Sequence, residues 1–137
     1  DRRADYMVHI DGDGQFDPAD IPKVLAPVIS DEAGMATASR FLDESLVPTM
    51  PWVKRMGNAG VAWIVWLLTG RRYRDVSCGF RAFSRETLLR MNLFGTFTYT
   101  QESFLDLIFK NLEIVEVPVR VRGFSAPGSL AVAVVMV

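Results

Sequence analysis

At 137 residues, 50% of them hydrophobic, the chain can bury one core and is too apolar for disorder, so a single domain is expected. Its 15 basic and 16 acidic side chains leave a formal charge of -1, which excludes the strongly basic field of a nucleic-acid binder. One cysteine, Cys78, excludes an intrachain disulfide framework and fits a reducing compartment, and one histidine, His9, leaves no His-rich zinc set.

The chain starts at Asp1 without a methionine, and its first apolar segment, Tyr6 to Ile10, reads like the middle of something, so a fragment of a longer protein is expected. "DYMVHI" is a continuous apolar run ending at Asp11, the pattern of a buried parallel strand, with His9 in a structural role. Asp17 before Pro18 matches an N-cap and first helical residue, opening a short helix through "ADIPKVL" toward Pro27. "MATASRF" reads as a second strand. A helix from about Trp52 to Leu68 follows, weakened by Gly57 and Gly60. Its run "AGVAWIVWLLTG" falls short of the ~20 residues that span a bilayer, so it is expected to be a buried helix in which Trp63 and Trp66 pack.

"TGRRYRDVSCGFRAF" has a turn-like composition, and "SRETLLRM" after it is helical, with Ser84 as cap. Thr98 and Gln101 fit a capping box before "SFLDLIFKNL", whose Phe104, Leu105, Ile108 and Leu112 share one apolar face. In "IVEVPVRV" the valines 115, 117, 119 and 121 alternate with Glu116, Pro118 and Arg120, predicting a half-buried strand that Pro118 puts near a sheet edge. The last eight residues, "LAVAVVMV", are too short to span a membrane, though a severed hydrophobic segment would look the same. Strand and helix alternation predicts an α/β domain, with its ligand beyond the strand ends.

The carboxylates of "HIDGDGQFDPADI" suit a cation. A calcium loop needs glycine at its sixth position and glutamate at its twelfth, but counting from Asp11 gives Phe16 and Pro22, and counting from Asp13 gives Pro18 and Val24. The calcium template fails. Asp11 and Asp13, just after a strand and followed by Gln15, instead form the oxygen set of a magnesium or manganese site completed by water and a substrate diphosphate. A solvated acidic turn has the same composition.

"IDGDGQFDPADI", "SRFL", "MPWVKRMGN", "DVSCGFRAFSRE" and "YTQESFLDLIFKNLEIVEVPVRVRG", in this order, resemble a family 2 glycosyltransferase of GT-A fold, most closely the polyprenyl-phosphate branch that includes dolichol-phosphate mannose synthases. The resemblance implies an α/β, Rossmann-like partial GT-A fold, a mixed sheet flanked by helices. Residues 1–123 would be the C-terminal part of the domain and 124–137 a divergent apolar tail. It implies an inverting, metal-dependent enzyme at the cytoplasmic face of a membrane, moving a sugar from a nucleotide-sugar donor to a polyprenyl (dolichyl or undecaprenyl) phosphate. Asp11, Asp13 and Gln15 match the family's positions for Mg²⁺ or Mn²⁺, with Asp13 counted among the catalytic residues. Arg40 and Arg55 would contact donor or acceptor phosphates, because guanidinium groups clamp phosphates bidentately.

"DVSCGFRAF" matches the family's acceptor-side loop, which implies that Asp75 orients Arg81 or an acceptor group. Gly79, Phe80, Arg81, Gln101 and Glu102 would then lie on the acceptor side, with Gly79 admitting a close backbone approach. Cys78 is expected to pack. Glu102 is expected to orient the helix start or a neighbouring arginine rather than to abstract a proton, because a phosphate acceptor is already largely ionised near neutral pH. The chain departs from the family in having no first strand or nucleoside pocket before Asp1, and no Lys or Arg after Arg122. By itself it is therefore expected to be inactive. Two other classes fit the acidic turn: a domain that binds metal and sugar nucleotide without turnover, and a calcium-stabilised structural module.

Overall fold

The computed structural model describes residues 4–47, 51–92, 99–122 and 132–136. Five strands, β1 (Tyr6–Asp11), β2 (Met35–Ser39), β3 (Arg81–Ser84), β4 (Ile114–Pro118) and β5 (Val132–Met136), form one mixed sheet in the order β4-β2-β3-β1-β5. The helices are α1 (Ile21–Ile29), α2 (Trp52–Thr69), α3 (Arg85–Arg90) and α4 (Tyr99–Phe109).

Alternation along the strands divides the core between the two faces of the sheet. Val8, Ala36, Ala38, Ala82 and Val117 pack with Val24, Leu25 and Val28 of α1. Met35, Phe83 and Ile114 pack on the other face with Ala62 and Val65 of α2 and with Phe104, Leu107 and Ile108 of α4. The α/β expectation of a mixed sheet flanked by helices is met, and β4 is an edge strand as Pro118 requires.

β1, read from its apolar run as a buried parallel strand, instead pairs antiparallel with both β3 and β5 and is only partly buried, and four further details differ from the sequence expectations. β3 begins within "TGRRYRDVSCGFRAF", which reads as turn; all four of its residues pair antiparallel with β1, and Arg81, Ala82 and Phe83 also pair antiparallel with β2. Residues 132–136, expected in an apolar tail, pair antiparallel with β1, so this run is a strand of the sheet. Asp17 caps a short 3-10 turn, Pro18–Asp20, and α1 then runs past Pro27 to Ile29. Proline removes one helical hydrogen bond there, and the burial of Val24, Leu25 and Val28 holds the short helix against the sheet.

The last difference is α2. It ends at Gly70, whose φ of 71° is the left-handed cap that glycine adopts freely. Only Asn58, Ala62 and Val65 are buried along its 18 residues, so the expected buried helix is instead exposed over most of its surface. An apolar sequence reports hydrophobicity on every face but not which faces meet a neighbour. The expected Thr98 cap of α4 lies outside the described residues.

Candidate active-site cleft

β1 and β2 are both antiparallel to β3, and β4 is parallel to β2. The ends of β1 and β2 therefore meet the start of β3, and the loop 75–80 that leads into it, at one edge of the sheet. That edge collects Asp11, Arg40, Asp75 and Gly79.

Asp11 is half-buried at the end of β1. The Nδ1–H of His9 donates to the Gly79 carbonyl at 2.6 Å, fastening the strand to the loop. A Cβ at Gly79 would collide with the Asp11 carboxyl, so only glycine lets the loop pass this close. Burial raises the Asp11 pKa, and the charge of Asp13 adds to that rise against the opposing pull of His9. Asp13 Oδ1 accepts from the Gln15 amide at 2.9 Å across Gly14, whose φ of 76° makes the tight turn. The Gln15 carbonyl accepts from the Arg122 amide at 2.8 Å, and Arg122 pairs with Asp17, so the turn is tied to the chain beyond β4.

The carboxylates of Asp11 and Asp13 and the amide oxygen of Gln15 are hard ligands, and a half-buried like-charged pair is the arrangement a cation relieves. No group of three or more His, Cys, Asp or Glu side chains gathers among the described residues. This donor set fits an ion such as Mg²⁺ or Mn²⁺, which completes its shell with water and substrate oxygens.

Arg40 follows β2. Its Nε and Nη2 donate to the two oxygens of the buried Asp75 at 2.7 and 2.8 Å, and its backbone amide adds a third bond at 3.0 Å. Burial opposes the guanidinium charge, but the Asp75 hydrogen bonds and charge outweigh it and raise the Arg40 pKa. Asp75 thus orients Arg40, a partner that the sequence reading, which gave it Arg81 or an acceptor group, did not name. Nη2 also donates to Ser77 Oγ at 2.9 Å. Ser77 donates in turn to Asn58 of α2, whose Nδ2 holds the Arg74 carbonyl at 2.6 Å. Glu116 of β4 accepts from the consecutive amides of Arg74 and Asp75 at 3.0 and 2.8 Å. The loop is thereby pinned from both sides.

A cleft of about 490 Å³ opens between these groups, lined by Gln15, Arg40, Lys54, Ser77 and Gln101 among others. Several expected site residues lie elsewhere. Phe80 is fully buried, its ring 5.4 Å from that of Phe16, in the core rather than at the cleft. Arg81 is 1% exposed and donates to the carbonyls of Cys78, Val76 and Thr100 and to Ser103 Oγ, so it braces the cleft from inside. Cys78 is buried, and burial pushes its thiol up to about 12, as a packing residue requires. Glu102 is half-buried in the first turn of α4.

Arg55 lines a separate groove along α2. Lys54, Gly57, Asn58 and Val61 follow the helical period and face the cleft, so Lys54 is the basic residue of "VKRMGN" that lines it. Lys54, Asn58, Ser77 and Glu116 were not among the sequence candidates. Helical spacing was the signal that could have found Lys54 and Asn58; Ser77 and Glu116 depend on tertiary placement.

No protein-family model matches the chain. Among curated proteins it is 38% identical over 120 residues to the UDP-N-acetylglucosamine–dolichyl-phosphate N-acetylglucosaminyltransferase of Methanococcus voltae, covering 85% of this chain and 48% of that protein. An uncharacterised protein of Methanocaldococcus jannaschii is 35% identical over 117 residues, 83% of this chain and 48% of its own length. The low-salt glycan biosynthesis hexosyltransferase of Haloferax volcanii is 32% identical over 119 residues, 85% of this chain and 29% of its own length. The chain spans about half the length of the first two relatives, and less of the third.

Proposed function

We propose, from the chain's similarity to curated glycosyltransferases that act on dolichyl, polyprenol or undecaprenyl phosphate, that the protein moves a sugar from a nucleotide diphosphate to a polyprenyl phosphate at a membrane face, with inversion. The observation that supports this reading is one edge of the sheet carrying both kinds of group the reaction needs, with Gln15 of the acidic turn and Arg40 lining the same cleft. The turn Asp11-Gly12-Asp13-Gly14-Gln15 offers hard oxygen ligands, and Arg40, fixed by Asp75, offers a guanidinium.

In the proposed reaction an oxygen of the acceptor phosphate attacks the anomeric carbon. The bond from that carbon to the diphosphate breaks, and the nucleoside diphosphate leaves with the bonding electrons. A bound Mg²⁺ or Mn²⁺ would stabilise the charge that gathers on the leaving group. Asp11, Asp13 and Gln15 would hold that ion, and Arg40 and Lys54 would orient phosphate oxygens in the cleft. Because the second pKa of a phosphate monoester is about 6, the attacking oxygen needs no general base, and Glu102 has an orienting role.

Sugar transfer to polyprenyl phosphate by the full-length gene product, followed with labelled nucleotide sugars, tests the reading. Asp13→Ala is expected to abolish transfer with little loss of fold, and Glu102→Gln to keep most of it. Full activity in excess EDTA would contradict the metal-dependent reading. Loss of turnover by several orders of magnitude in Glu102→Gln, with donor binding intact, would point to a hydroxyl acceptor instead.

A further inference from the structure

Seven of the ten large hydrophobic side chains exposed among the described residues lie on α2, running from Trp52 and Met56 to Trp63, Ile64, Leu67 and Leu68. They lie away from the stripe of Asn58, Ala62 and Val65 that packs on the body of the domain. At 1.5 Å per residue the helix is about 27 Å long. No helix among the described residues is long and apolar enough to cross a membrane.

Charge selects what covers this face. From Trp52 to Arg74 the sequence carries Lys54, Arg55, Arg71, Arg72 and Arg74 and no acidic residue, in a chain whose net charge is -1. Arg71 pairs with Glu113, but Arg55, Arg72 and Arg74 form no ion pair among the described residues. Those three arginines, with Trp63 and Trp66, line an open groove of about 580 Å³, and the Arg72 guanidinium lies 4.9 Å from the Trp66 ring centroid. A second copy of the chain related by a twofold axis would bring like charges together here. An anionic bilayer accepts both parts: the apolar stripe enters the headgroup–acyl boundary, and the arginines meet lipid phosphates.

We propose that α2 and the cationic groove beside it are the surface by which this protein lies on an anionic phospholipid membrane. The proposal deepens the membrane-face part of the function proposed above and rests on it for its biological sense. Asn58, on the buried side of the same helix, is bonded to Ser77, which holds Arg40. A docked α2 therefore keeps the mouth of the cleft in fixed relation to the lipid surface.

The test is co-sedimentation of the chain with vesicles of phosphatidylcholine, with and without phosphatidylglycerol. Binding is expected to need phosphatidylglycerol and to weaken with added salt. Arg72→Gln and Arg74→Gln are each expected to weaken it about fivefold, the equivalent of about 1 kcal/mol per charge. The exposed-face variant Met56→Asp/Ile64→Asp/Leu67→Asp is expected to lose at least about tenfold, with the circular-dichroism spectrum and urea midpoint retained. Absence of vesicle binding, or equal binding by the wild type and all these variants, would overturn the proposal. So would a concentration-dependent dimer that the face variant abolishes, because a second copy would then be the cover. Manganese and nucleoside-diphosphate binding measured without vesicles scores the glycosyltransferase reading separately: its failure with vesicle binding intact sinks that reading alone, and the reverse result sinks only the docking surface.

Discussion

Arg40 and Arg81 are both held by the loop that leads into β3, yet their surroundings are opposite. Arg81 is enclosed: carbonyls of Val76, Cys78 and Thr100 and the Ser103 hydroxyl accept from all three of its nitrogens, and its guanidinium lies 4.8 Å from the Phe104 ring centroid. Arg40 is held on one edge by the Asp75 carboxylate, and its side chain remains 18% exposed at the cleft. A cation surrounded by backbone acceptors fixes the fold. A cation aimed by one buried carboxylate is oriented and still able to meet an anion. The same contrast separates Phe80, in the core, from Lys54, at the cleft.

Arg81→Met breaks the comparison most directly. It leaves several buried acceptors unpaired, at about 1–3 kcal/mol for each unsatisfied group, so urea unfolding is expected to show a loss of about 3 kcal/mol or more. If Arg40→Met proves the more destabilising change, the two roles are reversed. Asp75→Asn comes next. It weakens charged hydrogen bonds worth about 1.5–3 kcal/mol, and is expected to reduce sugar transfer by far more than that stability loss explains.

Gly79→Ala forces the Asp11 carboxyl to move and is expected to cost about 1–3 kcal/mol while weakening manganese binding. Gly57→Ala is its control. Nothing lies within 4 Å of the added methyl group, and the change is expected to stabilise α2 by up to about 1 kcal/mol without affecting manganese. Equal effects at the two glycines would show that Asp11 does not depend on the loop's close approach.

The smallest effect is a pH dependence. Burial raises the folded-state pKa of Asp11 above its unfolded value, so its ionised form is disfavoured by the fold. Below the unfolded value of about 3.9 both states are protonated and the penalty vanishes; it grows as pH rises through the folded pKa. Asp11→Asn is therefore expected to melt above wild type at pH 7, with the gap closing toward pH 3. A gap that widens on acidification would reverse the sign of the argument.

Much of the fold was legible wherever a pattern is local. β1 follows from its apolar run, though not the antiparallel direction of its pairing, β4 from its alternation and proline, and α3 from the Ser84 cap, which accepts from the Thr87 amide. β3 was not legible: four residues beginning with arginine carry no periodicity, and the strand exists because β1 and β2 pair with it from either side. The exposure of α2 was hidden for a related reason, since its composition is that of a buried helix while its neighbours cover one stripe. At the site, the acidic turn was readable because Asp13 and Gln15 are two residues apart and bond locally. The Asp75–Arg40 pair, 35 positions apart, and the Glu116 clamp, 41 or 42 positions from the amides it binds, depend on the sheet order.

The central claim is that the Asp11–Asp13–Gln15 turn holds a divalent ion beside Arg40. Electron paramagnetic resonance of Mn²⁺, titrated with the protein in the presence of a nucleoside diphosphate, tests it most directly. The account predicts that the signal of free Mn²⁺ falls with the wild type, and that Asp11→Asn/Asp13→Asn restores it to the level set by the nucleotide alone. Equal Mn²⁺ uptake by wild type and the double variant would contradict the account.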